Sequence, residues 1–425
     1  MEAHCHATDP FTLKVALRDG LTTCMDFEAG IRNVDQWHKM HEGKSQVNFG
    51  HVCCAAFARL AALDGPDIAE HGHDSGDLMS KCLPLAAKRA KAEGRPMGWN
   101  ACIPDKLQMT QIMMVLDDEL RQGALGVGIP IGYMTNGVSS YEMFKHQQLA
   151  SLCGRVSNAH TRFIGKMPPL EGALGIQELM CNAMVLNAPV MIAHVNSVND
   201  WEFTVPCVNL ARKNGHKVFA EACPYHAGSS TACTDVLLPE NMKSLGIVHN
   251  DVCYVEPYER WTKEIYDKRM DNGDKMMILE LNKPEDIKKW MADPETIVCS
   301  DAMSCLNPKD CSYCDWDEPF EGKSVHPRTS GTRGTFLRMV REEKEMNVDL
   351  MTAISRMSFL PAKCYDELCG IPHFRWKGCM QVGCDADITI FDPETVTDNS
   401  SCDIGKGMIP ATGVPHALVK WCHCG

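Results

Sequence analysis

Two textures alternate along the chain. Short apolar, β-branched runs at residues 21–27, 124–131, 156–160, 190–194, 218–222 and 296–300 read as buried strands. Between them, apolar positions recur with helical period at 77–92, 107–122, 141–153, 175–186, 201–213 and 286–291. Gly or Asn closes several of these stretches, as in Gln122-Gly123, Cys153-Gly154 and Lys213-Asn214-Gly215, where a left-handed residue ends a helix. Strand and helix in alternation predict βα units on a parallel sheet. About eight such repeats fit before residue 365, which favours a closed (β/α)8 TIM-like barrel over an open doubly wound sheet. From Lys377 the texture changes to a turn and one alternating strand ending near Asp392, with more strand material at 416–421. The expected division is a barrel over residues 1–370 and a small β appendage over 371–425.

Composition narrows the partners. The 425 residues carry 42 Lys and Arg against 55 Asp and Glu, a formal charge of −13, and 44% hydrophobic residues. An acidic chain lacks the cation excess that drives non-specific nucleic-acid binding. No run reaches the roughly 18–20 apolar residues of a membrane span, and the first residues have no secretory pattern. Nucleic acid and membrane are therefore not expected partners. The 23 cysteines have no regular spacing, and many sit inside apolar runs such as Cys53-Cys54. Such thiols behave as small hydrophobes, which predicts a reducing, cytoplasmic setting. Cys311-Ser312-Tyr313-Cys314 and the terminal Cys422-His423-Cys424 lack the paired ligands of a structural zinc site.

Catalytic groups of a barrel gather at the C-terminal ends of its strands. Several strand-like runs here end in a metal ligand or an acid. His4-Cys5-His6 places two imidazoles on one side of a strand, and Val190–Ala193 runs into His194. The run ending at Ala222 leads through Cys223-Pro224-Tyr225 to His226, and a late strand ends at Asp301. Singly, each has an ordinary reading, such as a core imidazole on a carbonyl or an Asp helix cap.

In this order the set resembles the metal-dependent amidohydrolase superfamily, and further segments are similar to its D-aminoacylases, the N-acyl-D-amino-acid deacylases. Those segments are Leu120-Arg121-Gln122-Gly123-Ala124-Leu125-Gly126-Val127-Gly128 and Pro224-Tyr225-His226-Ala227-Gly228-Ser229-Ser230. His326-Pro327-Arg328 with Gly331-Thr332, Ser358-Phe359-Leu360-Pro361-Ala362, and Gly383-Cys384-Asp385-Ala386-Asp387 extend the resemblance over nearly the whole chain. It implies a barrel of amidohydrolase type with a β-sandwich appendage, and one or two divalent ions, zinc foremost. It implies His194 and His226 as metal ligands beside His4 and His6, and Asp301 as general acid and base. Arg328 would hold the substrate's carboxylate, and Tyr225, His160 and Ser229 would contact the substrate. The implied substrate is a small N-acyl-D-amino acid, and the implied reaction is hydrolysis of its amide.

Two departures bear on that reading. Ala29 falls where the family has a cysteine ligand, and alternation along the strand makes Glu28 the substitute. Only Met1-Glu2-Ala3 precede His4, so strand 1 is expected to be truncated and the β-sandwich incomplete. Alternatives are other reactions of the same superfamily (dipeptidase, cyclic amidase, deaminase), a non-catalytic barrel that binds a partner, and a thiol redox protein. Oligomeric state is not readable from the sequence.

Overall fold

Eight parallel-sheet positions are built by strands whose apolar residues face helices on one side and the barrel interior on the other. The computed structural model describes residues 1–419 apart from 166–167, 169, 199, 233, 255–258, 270–274, 279–280, 306, 308–311 and 324. Seven strands form one parallel sheet, β2 (Thr23–Ile31), β3 (Asn48–Cys54), β4 (Gly126–Pro130), β5 (Val156–His160), β6 (Val190–Ile192), β7 (Val218–Ala222) and β11 (Ile297–Val298), ordered β11-β7-β6-β5-β4-β3-β2. The two edges are bridged by β1 (Cys5–His6) and its flanks. Glu2 pairs with Cys24 beside β2, while β1 runs parallel to β12 (Ala302–Met303) and the His4 carbonyl accepts the Asp301 N–H at 2.8 Å. The result is a TIM-like barrel, and the mixed α/β class expected from the pattern stands.

Local chemistry explains most element ends. Asp9 caps the helix Pro10–Arg18, whose first residue is Pro, and Asp105 forms a capping box with Gln108 at the head of Lys106–Arg121. Helix Trp201–Lys213 and strands β5 and β7 fall where the periodicity puts them. β3 is the strand that periodicity misses. Its sequence, Asn-Phe-Gly-His-Val-Cys-Cys, breaks the β-branched pattern, yet Gly50 is packed against Met25 and Leu125 where a Cβ would clash at 2.7–2.9 Å.

An antiparallel sheet is inserted after β7: β8 (Gly228–Thr231), β9 (Val252–Tyr254) and β10 (Lys275–Ile278), in the order β8-β10-β9. It has its own small core around Leu237, Val252, Tyr254 and Trp261. The C-terminal β13 (Ile388–Ile390) and β14 (His416–Leu418) form an antiparallel pair. The pair is tied to the barrel by Thr389 donating to the Gly20 carbonyl at 2.7 Å and Asn48 donating to Asp387 at 2.8 Å. Residue 421, expected at the end of the last strand, and the Cys422-His423-Cys424 tail lie outside the described residues, as does Cys311. No helix among the described residues is long and apolar enough to cross a membrane. Cysteines among the described residues are all free thiols, and most are buried.

Candidate metal centre

Strand direction carries the polar side chains of β1, β2, β7 and β11 to one mouth. His4 and His6 face each other across it, their Nε2 atoms 3.1 Å apart. Each ring is oriented from behind by a buried carboxylate, His4 Nδ1 donating to Glu221 at 2.6 Å and His6 Nδ1 to Asp26 at 2.9 Å. Such carboxylates fix the tautomer, so both Nε2 lone pairs are turned toward one point. Two lone pairs at that separation require a proton or a cation between them.

Two more carboxylates close on the same point. Glu28 Oε2 lies 3.4 Å from His6 Nε2 and 3.8 Å from His4 Nε2, and Asp301 Oδ1 lies 3.4 and 3.5 Å from them. The ligating atoms of His4, His6 and Asp301 lie within 4.8 Å of one another. Glu28 Oε1 is buried without a partner. Asp26, Glu28, Glu221 and Asp301 thus bring carboxyl groups to a largely buried space whose neighbouring guanidinium is Arg328, paired with Asp301 at 2.8 Å. Buried negative charge of this kind is balanced by protons on the imidazoles and Glu28 or by a bound cation. A hard or borderline divalent ion with imidazole and carboxylate ligands fits this donor set.

Burial and charge tune the groups in opposite directions. Burial pushes Glu28 up to about 7, against the pull of His6 and His4. Burial also disfavours charge on His4 and His6, but the carboxylates Glu221 and Asp301 around the first, and Asp26 and Asp301 around the second, outweigh it and raise both. Burial works against the Asp301 carboxylate, yet Arg328 and His4 overcome this and hold it well below the usual range. His194 is held neutral by burial and by His160 beside it, and burial brings His160 itself down to about 4.

His194 stands next to the pair, its ring centroid 5.2 Å from that of His4, with a buried Nδ1 that has no partner. Both His194 (φ 25°) and Asp301 (φ 54°) adopt left-handed backbone; the other non-glycine residues that do so among the described ones are all Asn. Strain of this kind, about 1–3 kcal/mol per residue, persists where surrounding structure enforces it and clusters at functional sites. His160 follows in a chain of rings, 4.5 Å from His194, and donates through Nδ1 to the Thr161 carbonyl at 3.0 Å. It lies near the centre without joining the ligand cluster. Gly132 makes room for it, since a Cβ there would meet His160 Nδ1 at 2.0 Å.

Two sequence expectations are corrected. His226 does not join the cluster: Cys223-Pro224 turn the chain away after β7, and the His226 side chain is exposed. The β7 residue that reaches the centre is Glu221, through His4. Tyr225 likewise points elsewhere, its hydroxyl bonded to Thr335 at 2.9 Å in the packing of helix Arg328–Glu342. In the cavity beside the centre the tyrosine is Tyr133, its ring tilted against His160 with centroids 4.8 Å apart. Burial, with Glu28 and Asp301 nearby, holds the Tyr133 phenol protonated. Ser229, Arg328 and Ala29 line that cavity, so the small residue in place of a cysteine opens space next to Glu28.

The His326-Pro327-Arg328 segment acquires a physical account. His326 Nε2 donates to the Ala227 carbonyl at 3.0 Å, which leaves Nδ1 to accept the Arg328 N–H at 3.1 Å. Pro327 then starts the helix whose first residue is Arg328. Glu2 was not singled out by sequence. It accepts the backbone N–H groups of His4 and Ser300 and pairs with Arg333, thereby fixing β1 between the barrel edges.

No family model matches the sequence. The chain is 23% identical over 347 residues to an N-acyl-D-glutamate deacylase of Alcaligenes xylosoxydans xylosoxydans, a match covering 76% of this chain and 62% of that protein. The chain thus matches less than two thirds of that relative's length. Among solved structures, an N-acyl-D-glutamate deacylase from Bordetella bronchiseptica, complexed with zinc and a phosphonate mimic of the tetrahedral intermediate, superposes with a TM-score of 0.70 at 18% identity, covering 98% of this chain and 83% of that one. A D-aminoacylase that defines a subset of amidohydrolases superposes at 0.69, with 18% identity and the same coverages. The fold is that of the D-aminoacylase amidohydrolases.

Proposed function

We propose that this chain hydrolyses the amide bond of an N-acyl amino acid, in the manner of a D-aminoacylase, at a centre that takes one or two divalent ions, zinc foremost. The observation that carries the reading is the convergence of His4, His6, Glu28 and Asp301 on one point, with each imidazole backed by its own carboxylate. His4, His6 and Glu28 would hold the ion, with His194 as the neighbouring neutral ligand. When bound, the ion supplies Lewis acidity toward a carbonyl oxygen and a water molecule.

The chain's own groups do the rest. Asp301 Oδ1 faces the imidazoles while Arg328 holds Oδ2, so the carboxylate is ionised and aimed. It accepts the proton of the attacking water and then delivers it to the departing nitrogen. Arg328 donates one N–H to Asp301 and keeps a buried Nε without a partner, which can take the substrate's carboxylate. The Tyr133 hydroxyl, held protonated, can donate to the oxyanion as the carbonyl carbon becomes tetrahedral.

Zinc content and hydrolysis of N-acetyl-D-amino acids, measured on the same preparation, test the reading. Asp301→Asn should lower kcat/KM by at least ~10³-fold while retaining metal. Turnover that survives this change unaltered would sink the mechanism, and a protein that takes up no zinc would sink the centre.

A further inference from the structure

Ahead of β13 the chain turns back on itself through Gly378-Cys379-Met380-Gln381-Val382-Gly383-Cys384. Both glycines have left-handed backbone, φ 72° and 96°, which lets the reversal fit into so few residues. Hydrogen bonds close it: the Cys384 N–H donates to the Gln381 carbonyl at 3.1 Å, and the Asp385 N–H to the Trp376 carbonyl at 2.8 Å. The base is anchored as well. Lys377 is buried and pairs with Asp385 and Asp387 at 2.9 and 2.8 Å, and Asp387 accepts from Asn48, at the start of β3, at 2.8 Å. Gly378 lies so close to the next element that a Cβ on it would meet the Ser358 carbonyl at 2.3 Å. These constraints bring the thiols of Cys379 and Cys384 face to face, their Sγ atoms 2.7 Å apart. Two unbonded sulfurs rest further apart than this. Most of the described cysteines are buried, whereas these two are half-buried, and Met380 and Val382 between them are exposed. A small reagent therefore reaches the pair from solvent.

We propose that Cys379 and Cys384 form a thiol–disulfide exchange site, which takes a low-molecular-weight disulfide as its oxidant and closes into a reversible intramolecular disulfide. In the first step one cysteine thiolate attacks a sulfur of the small disulfide. That S–S bond breaks, a mixed disulfide forms on the protein, and the departing small thiolate takes up the proton the cysteine lost. In the second step the other cysteine, already in contact, attacks the protein-side sulfur of the mixed disulfide and expels the second small thiol with its own proton. Two protein thiols are oxidised to one disulfide, and one small disulfide is reduced to two thiols. Small thiols reverse the exchange because the bond lies within their reach. Once closed, it locks the turn that carries Asp385 and Asp387, and so braces the C-terminal strand pair against β3 through Asn48. Cys305 and Cys314 give the contrast: their Sγ atoms lie 3.7 Å apart, but both are buried and shielded from the same reagent. The proposal does not depend on the hydrolase reading.

The test uses the reduced full chain, equilibrated with glutathione disulfide, quenched with an alkylating reagent and mapped by mass spectrometry without reduction. The fragment holding Cys379 and Cys384 should be unalkylated and lighter by two hydrogens, and dithiothreitol should restore both thiols. Oxidation should also slow proteolysis within the turn by ~5-fold or more. Cys379→Ser removes the resolving thiol and should leave glutathione trapped on Cys384, and Cys384→Ser should trap it on Cys379. Mapping of the unsubstituted chain decides the matter even if a variant fails to fold. Alkylation of both thiols after equilibration, stable glutathione adducts on both cysteines, or oxidation of Cys305 and Cys314 in their place would overturn the proposal. Equal cleavage of the oxidised and reduced forms would overturn the bracing role.

Discussion

The two ends of the same barrel strands follow opposite rules. In the lower half of the barrel, Phe27, Val52, Val156, Met191, Phe219 and Ile297 form one apolar cluster with Leu360, Tyr365 and Phe374. One to four residues further along the same strands stand Glu28, His160, His194, Glu221 and Asp301. On β5 the passage from Val156 to His160 covers four residues, roughly 13 Å at about 3.3 Å per residue. Hydrophobic burial dominates one end, and buried, paired ionisable groups with left-handed backbone at His194 and Asp301 mark the other. A barrel can carry that second end because the first end supplies rigidity without needing any chemistry.

Truncation at the apolar end gives the largest stability effect expected. Phe27→Ala removes a fully buried ring packed 4.2 Å, centroid to centroid, from Tyr365. It should cost about 3–5 kcal/mol in urea or thermal unfolding, with zinc affinity little changed in the folded protein. Loss of zinc binding under folding conditions would break the separation between the ends. A smaller effect is expected at the polar end. Glu221→Gln keeps an acceptor for His4 Nδ1 but removes the charge behind the ring, and should weaken zinc affinity by about 10–100-fold in competition with a chromophoric chelator. An unchanged affinity would make Glu221 a packing residue.

The smallest effect lies in the insertion and tests whether buried charge there behaves as it does at the mouth. Burial raises Asp235 to about 6, against hydrogen bonds from the Asn136 backbone and the Asn100 side chain. Its proton is held more tightly in the folded chain than in the unfolded one. The stability it contributes is therefore complete below the ordinary carboxyl value of 3.8 and is lost as pH rises through about 6. Asp235→Asn, with no proton to lose, should flatten this part of the pH profile by about 2 kcal/mol between pH 4 and 7, read as the difference in urea midpoints. Parallel profiles for the two proteins would refute it.

What the sequence made legible follows the same division. The apolar ends announce themselves by β-branched runs, and β5, β7 and the helix Trp201–Lys213 have the extents that periodicity predicts. His4, His6, Glu28, His194 and Asp301 could be singled out because strand alternation and strand ends restrict where a side chain can go. His226 and Tyr225 could not be placed correctly, since they follow a strand end, where tertiary packing and not the two-residue period sets direction. Tyr133 and Glu221 escaped notice for a related reason: the first sits in a single 3-10 turn after β4, and the second reaches the centre only through the ring of His4. β3 was hidden by Gly50, His51 and two cysteines, whose strand placement depends on close neighbours.

The left-handed backbone at His194 and Asp301 has an energetic consequence. Two such residues commit several kcal/mol against folding, by the usual ~1–3 kcal/mol each, in a class of molecule whose net stability is only about 5–15 kcal/mol. Glycine or asparagine at either position would relax the backbone and remove the chemistry in one step. Stability alone would favour Gly or Asn at both positions, so the conformational cost here is carried for the His and Asp side chains themselves.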